Sequence, residues 1–301
     1  MQVFVTGASG HIASAVIPEL LGHGHEVLGL ARSDASAATV EALGATVLRG
    51  SLDDLDSLRE GASSSDGVIH LAFKHDEMQA GDLESPIRAD LRAIEVIGDA
   101  LAGSDKPLVG TSGTLMLVFG GVEGTGTEAD VFDAGMRIDA ENAVIGLAER
   151  GVRSSVVRLP PTVHSSLDLH GYVPTLIGIA RAKGHAGYVG DGSNRWPAVH
   201  TLDAARLYRL ALEGAPAGTR LHAVGDDGVP FRQIAQAIGA GLGVPAASVP
   251  AEEAEAYFGF LALFVALDNP TSSALTRALL DWHPTHPGLI ADLGEDHYFR
   301  A

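Results

Sequence analysis

Residues Val3 to Ala13 read Val-Phe-Val-Thr-Gly-Ala-Ser-Gly-His-Ile-Ala, with Gly7, Gly10 and Ala13 at the three small positions of a strand-to-helix turn. Such a turn suits a pyrophosphate. The first glycine permits the bend, the second lets the backbone approach the anion, and the third small residue lets the helix lie against the sheet. Unpaired N–H groups at the helix N-terminus attract the charge, so Gly7, Ser9, Gly10, His11 and Ile12 are the candidate ligands. A glycine turn that binds nothing has the same spacing, but its place after a strand and before an apolar helix favours a ligand. The next strand ends Leu28-Gly29-Leu30-Ala31-Arg32-Ser33. An acid there holds the ribose 2′-OH of NAD, whereas an arginine accommodates the 2′-phosphate of NADP. Arg32 with Ser33 therefore favours NADP; Asp34 is the argument for NAD, and a solvated surface charge is the bland reading of Arg32.

These residues need a scaffold, and the first half of the chain supplies one by alternating short apolar runs with amphipathic stretches. The pattern predicts strands over 2–5, 26–31, 46–49, 67–72, 107–111 and 154–159. It predicts helices over 12–22, 35–43, 55–60, 82–101 and 139–149. After Pro160 the pattern turns irregular at 164–171, 184–197 and 214–218, then gives helices at 231–242, 252–267 and 272–280. The expected fold class is α/β, a Rossmann-type doubly wound parallel sheet with a smaller C-terminal substrate lobe. Residues 1–163 and 196–226 form the dinucleotide-binding core in this reading, and 164–195 with 227–301 the lobe over the carboxyl ends of the strands.

Composition narrows the function classes. The 301 residues carry 38 acidic and 20 basic side chains, a formal charge of −18, which argues against nucleic acid or an anionic membrane as partner. The absence of cysteine excludes disulfides, thiolate metal sites and a thiol nucleophile. His23 with His25 and His283 with His286 have no third ligand at metal spacing, so no metal is expected. Met1 leads straight into the first strand and no apolar run approaches ~20 residues, so a cytoplasmic protein is expected.

Beyond the glycine turn, further motifs recur in order: Gly50-Ser51-Leu52-Asp53-Asp54, His70-Leu71-Ala72-Phe73 and Gly110-Thr111-Ser112-Gly113-Thr114. Val157-Arg158-Leu159-Pro160-Pro161 and Val199-His200-Thr201-Leu202-Asp203 follow. Over nearly its whole length the chain resembles the short-chain dehydrogenase/reductase superfamily, in its extended, epimerase/dehydratase-like branch with atypical members. The resemblance implies that Ser51 and Leu52 flank the adenine, with Ser51 where the family usually has Asp. Leu71, Ala72 and Phe73 line the ribose and pyrophosphate path, with Thr111 also at the cofactor, and Pro160 to Val163 run beside the nicotinamide. Ser112 falls where the family keeps the hydroxyl that polarises a substrate carbonyl, with Thr114 beside the substrate.

The departure from the family lies in its Tyr-x-x-x-Lys pair. Aligned on Ala140-Glu141, the lysine position holds Arg137 and the tyrosine position holds Asp133. Arg137 can bind ribose hydroxyls and supply charge, but its own proton is not transferable. Asp133 is ionised at neutral pH unless burial intervenes. The proton that a reduced carbonyl needs must come from elsewhere, and His75, His164, Tyr172 and His200 are the candidates. The resemblance puts Tyr172 and His164 near the nicotinamide, and His75 and Trp196 on the substrate side.

Two readings follow. The first is an NADP(H)-dependent reductase of a small to medium ketone, aldehyde or imine, with Ser112, Arg137, Tyr172 and His164 as its catalytic set. The second is a non-catalytic NADP-binding regulator, suggested by the missing Tyr/Lys pair; sugar-nucleotide epimerase or dehydratase chemistry is a minor third. A homodimer through the helices near 82–101 and 139–149 is the family-level expectation.

Overall fold

The apolar runs become parallel strands covered by helices on both faces, as near-continuous Val, Leu and Ile require. The computed structural model describes residues 1–79, 81–82 and 84–300. Its first half runs β1 (Gln2–Thr6), α1 (Ala13–Gly22), β2 (Glu26–Ala31), α2 (Asp34–Ala42), β3 (Thr46–Arg49), α3 (Leu55–Ser64) and β4 (Gly67–His70). Next come α4 (His75–Gln79), α5 (Glu84–Leu101), β5 (Pro107–Gly113), α6 (Leu115–Phe119), α7 (Ile138–Gly146) and β6 (Arg153–Leu159).

The second half holds more regular structure than the sequence pattern predicts. It contains β7 (Thr162–His164), α8 (Tyr172–Lys183), β8 (Ala186–Val189), β9 (Arg195–His200), α9 (Thr201–Gly214) and β10 (Thr219–His222). Then follow β11 (Asp226–Pro230), α10 (Phe231–Leu242), β12 (Ala246–Val249), α11 (Ala254–Phe258), α12 (Ala262–Val265), α13 (Ala274–Leu280) and α14 (Leu289–Asp292). The single helix predicted over 252–267 is broken instead, because Gly259 takes φ +58 between two short helical pieces. At the other end of the chain, β4 stops at His70 rather than reaching Ala72, and α5 begins at Glu84.

Seven strands form the main sheet in the order β10-β6-β5-β4-β1-β2-β3, every neighbouring pair parallel. The order reverses between β1 and β4, and the crevice above their carboxyl ends is where such sheets bind ligands. A second sheet joins β11, β9 and β7, and a third pairs β12 with β8. The three-stranded sheet therefore straddles the expected divisions: β7 crosses the 163/164 boundary, β9 the 195/196 boundary and β11 the 226/227 boundary.

One core cluster lies under α1 and α9, built on Val3, Val5, Val16, Ile17, Leu207 and Tyr208. A second fills the C-terminal lobe around Trp196, Phe231, Ile234 and Phe258. Between α7, β6 and β10 sits a buried ion cluster. Arg158 donates to both Glu141 carboxylate oxygens at 3.0 and 2.6 Å, and Arg220 donates to Oε1 at 2.6 Å. Two guanidinium groups hold the Glu141 carboxyl below the usual carboxylate range against the burial that would raise it. Removing one member of such a cluster leaves an uncompensated buried charge, which costs about 3–5 kcal/mol.

Candidate active site

The glycine turn at the end of β1 has the geometry of an anion cradle. Gly7 takes φ +65, and a Cβ there would lie 2.8 Å from the Ala72 amide nitrogen. Only glycine lets β1 turn while the segment after β4 comes this close. Among the described residues, the amides of His11, Ile12 and Ala13 have no hydrogen-bond partner, so the N-terminal end of α1 keeps open donors. A dinucleotide pyrophosphate fits this cradle.

A chain of hydrogen bonds, closed by one ion pair, runs from the turn to Arg137. Thr6 Oγ1 accepts the Leu71 and Ala72 amides at 3.2 Å each and lies 2.8 Å from His70 Nδ1. With both lone pairs taken, the threonine must donate its hydrogen to Nδ1. His70 Nε2–H then donates to Asp90 Oδ1 at 2.9 Å, and Asp90 Oδ2 faces Arg137 Nη2 at 3.7 Å. Thr6, His70 and Asp90 are all buried. Sequence reasoning did not single out His70 or Asp90. The available signal was a carboxylate on the otherwise apolar face of α5, among Pro86, Ala89, Ala93 and Ile94.

Arg137 is the N-cap of α7, and its guanidinium lies 4.2 Å above the Phe73 ring and donates to the Thr111 carbonyl at 3.1 Å. Its Nε is buried with no partner. Asp133, in the family's tyrosine position, is exposed on the loop before the helix and offers only its backbone carbonyl, to Asn142. The segment 133–137 is not helical, so that carboxylate does not share a face with Arg137.

Tyr172 opens α8 and packs against the cluster of Leu115, Met116 and Ile138, at the start of α7 that Arg137 caps. Its ring stacks on Phe264 at 6.0 Å, tilts against Trp196 at 5.8 Å and meets Phe260 edge-on at 6.4 Å. Among the described residues its hydroxyl has no hydrogen-bond partner. Burial raises the phenol above its ordinary range while the nearby Arg137 charge pulls it down. His75 opens α4 beside Phe73, with ring centroids 5.0 Å apart, and partial desolvation and the Arg137 charge lower its pKa.

Other expected site residues are placed differently. Trp196 is fully buried in the lobe core and supports Tyr172 instead of facing a ligand. His164 lies not on an irregular segment but in β7, fully buried, with Nδ1 2.8 Å from Asp292 Oδ2. Strand pairing with β9 keeps its side chain out of bulk solvent. Thr114 is buried too and its hydroxyl accepts from Asn269 at 2.9 Å. Ser112 is 2% exposed, with its Oγ on the side of Glu141.

At the nucleotide end, Ser51 Oγ accepts the Asp53 amide and Leu52 packs in the core with Leu30 and Leu58. Thr111 Oγ1 donates to the His70 carbonyl and meets the Tyr208 hydroxyl at 2.8 Å. Pro160 is buried after β6 and Val163 packs beside α1. Arg32 is largely exposed and 3.5 Å from Asp76. Ser33 caps α2 with Ser36, while Asp34 is drawn to Arg49 at 2.6 Å. Arg32 and Asp34 thus each have an exposed ionic partner in the ligand-free chain.

His200, His164 and His286 line a second cavity, of about 160 Å³, with Asp203, Asp226 and Arg277. Among the described residues no three His, Cys, Asp or Glu side chains are grouped to hold a metal ion. Burial holds His11, His200 and His222 near pKa 4. Each stays neutral in the fold but takes a proton near pH 6.5 when unfolded, so its contribution is full above 6.5 and is lost as pH falls toward 4. Asp168, raised to about 6 by burial, acts the other way over pH 6 to 4. With three groups against one, the ligand-free protein should lose roughly 5–10 °C of melting temperature between pH 7 and 4.5 in a thermal scan. A flat or rising profile would refute this balance.

A family model, the NAD dependent epimerase/dehydratase family, matches residues 3–127. The chain is 46% identical over 299 residues to the uncharacterized protein C2A9.02 of Schizosaccharomyces pombe, covering 99% of this chain and 100% of that one. This chain belongs to the NAD dependent epimerase/dehydratase family. The family lies in the extended short-chain dehydrogenase/reductase superfamily, whose members are oxidoreductases and epimerases. A more distant relative is a 2-alkyl-3-oxoalkanoate reductase of Stenotrophomonas maltophilia, 27% identical over 260 residues, 81% of this chain and 77% of that one. The fold matches the dTDP-glucose 4,6-dehydratase DesIV of Streptomyces venezuelae, solved with NAD, at a TM-score of 0.78 and 18% identity over 99% and 96% of the two chains. Among the described residues of this family member, no helix is long and apolar enough to cross a membrane.

Proposed function

We propose that this family member is an NADP(H)-dependent reductase of a ketone or aldehyde in which Tyr172 takes the proton-donating role that Asp133 cannot fill. The observation that carries the reading is the Tyr172 hydroxyl, without a hydrogen-bond partner among the described residues, on a ring packed against the cluster of Leu115, Met116 and Ile138, the last next in sequence to Arg137. A nicotinamide cofactor would be held by Gly7, Gly10 and the open amides of α1, by Arg137 at the ribose, and by Arg32 at a 2′-phosphate. When bound, it supplies the hydride that reduces the carbonyl carbon.

The chain's own residues supply everything else. Tyr172 stays protonated at neutral pH, as a donor must, and gives its proton to the oxygen as charge develops there. Arg137 stabilises the phenolate left behind, because an opposite charge nearby favours the ionised form. Phe73 stacks on the guanidinium and Asp90 balances its charge, so it is fixed before substrate arrives. The reductase name of the Stenotrophomonas relative supports the same reaction class.

The test is NADPH oxidation by the purified protein across a panel of ketones and aldehydes. Turnover that is lost in Tyr172→Phe supports the reading; tight NADPH binding without turnover on any member of the panel would favour the regulator instead. Cofactor choice is tested separately. Arg32→Glu should raise the KM for NADPH about 10- to 100-fold, since a charge-assisted contact worth about 1.5–3 kcal/mol becomes a repulsion, and leave that for NADH within a few-fold. An unchanged NADPH KM would remove Arg32 from the cofactor site.

A further inference from the structure

Beyond Tyr172, the side chains toward solvent are apolar rather than charged. Phe264 on α12 stacks on Tyr172 and meets Phe119 edge-on at 6.3 Å, and Phe260 meets Tyr172 from the other side. Phe119 and Phe260 are 44% and 37% exposed, so this wall keeps open faces. Phe119 ends the helix that directly follows β5, and so the wall continues from the end of the strand that carries Ser112 and Thr111. Large exposed aromatics in one contiguous group mark a surface that covers an apolar ligand.

The charge around this mouth points the same way. The loop before α7 carries Glu123, Asp130 and Asp133 on its outer side, with Asp139 in the first turn of α7, against Arg137 alone. Between Arg232 and Arg277 the chain has no Lys, Arg or His, while Glu252, Glu253, Glu255 and Asp268 all fall in that stretch. Arg195 is already engaged by Asp268 through both guanidinium arms, and Arg277 by the Val224 and Gly225 carbonyls. A nucleoside diphosphate brings two to three negative charges and needs cations to meet them. None is free here among the described residues of the wall.

We infer that the outer half of the site takes the uncharged apolar flank of an aryl or alkyl ketone or aldehyde, laid against Phe119, Phe260 and Phe264, and does not accept nucleotide-linked sugars. The inference rests on the reductase reading for the reacting carbonyl, and on the aromatic wall and its charge for the rest of the substrate.

The test uses the NADPH-loaded protein with two ketones of matched reacting group, 4-phenyl-2-butanone and hydroxyacetone, with UDP-glucose as the nucleotide probe. Burying the phenyl group should give 4-phenyl-2-butanone a kcat/KM on the order of 10- to 100-fold above hydroxyacetone. Phe119→Ala should cut that ratio about five- to tenfold through KM, leaving hydroxyacetone unchanged, since Phe119 meets Phe264 and does not touch Tyr172. Phe119 lies at the surface, so its variant is expected to keep its melting temperature. Equal or reversed preference, or a variant that lowers both ketones alike, overturns the inference while the reductase reading stands. If no carbonyl is reduced, the reductase reading fails and binding decides the inference alone. Saturable quenching by 4-phenyl-2-butanol that Phe119→Ala weakens supports it, and equal binding of butane-2,3-diol or preferred binding of UDP-glucose overturns it.

Discussion

Tyr172→Phe should lower kcat by about 10²- to 10³-fold while the KM for NADPH stays within two- to threefold, the range expected for removing a general acid. The substitution removes one oxygen and nothing else that the fold uses. The ring's contacts with Phe264, Trp196 and Phe260 are all apolar and survive in phenylalanine. The hydroxyl has no partner to orphan, so the melting temperature should not fall. The same contacts make the position specific, because they hold the ring beside Arg137. Ser112→Ala supplies the contrast: a hydroxyl that is 2% exposed should cost less than tenfold in kcat. Steady-state rates for the two variants decide between them. A Tyr172→Phe enzyme within threefold of wild type would remove the phenol from the mechanism, and a larger loss in Ser112→Ala would return the role to the serine.

Arg137→Ala should fail in two ways at once. The affinity for NADPH should drop about 10- to 100-fold as ribose contacts worth about 1.5–3 kcal/mol are lost, and kcat should fall because the Tyr172 phenolate loses its counter-charge. Stability should also fall, by about 1–3 kcal/mol, since Asp90 at 2% exposure keeps His70 but loses its cation. Fluorescence titration of NADPH, initial rates and denaturant melts read the three effects separately. Arg137→Lys should recover stability and part of the rate, since it restores charge, but not the flat stack on Phe73. If Arg137→Lys matched Arg137→Ala in all three, geometry rather than charge would be the main contribution.

How much of this the sequence carried depends on distance along the chain. The strands β1 to β6 are legible because each is a short apolar run between turn residues, and the glycine turn because its three small residues lie within seven positions. The second half is less legible. Helix α9 carries its signal, since Ala204, Leu207, Tyr208, Ala211 and Leu212 recur at the spacing of one helix face, but the Val199-His200-Thr201-Leu202-Asp203 motif draws the reading there instead. Strands β7, β8 and β10 have three or four residues each, too few for a period to emerge. Arg137 was readable from its offset to Ala140-Glu141. The depth of Ser112, Thr114 and His164 was not, since it depends on which segments pack over them. The nearness of Tyr172 to Arg137 and Phe264 joins three stretches separated by dozens of residues, and only the folded chain brings them together.

The chain of bonds from Thr6 through His70 and Asp90 to Arg137 also settles where a proton cannot travel. Each hydrogen in it is committed: the threonine's to Nδ1, the histidine's to Asp90, and the arginine's are never released. It is a brace and not a wire. In the proposed reduction, a proton lost from Tyr172 is therefore not replaced through this chain, and the phenyl faces around the ring would stand between it and bulk water.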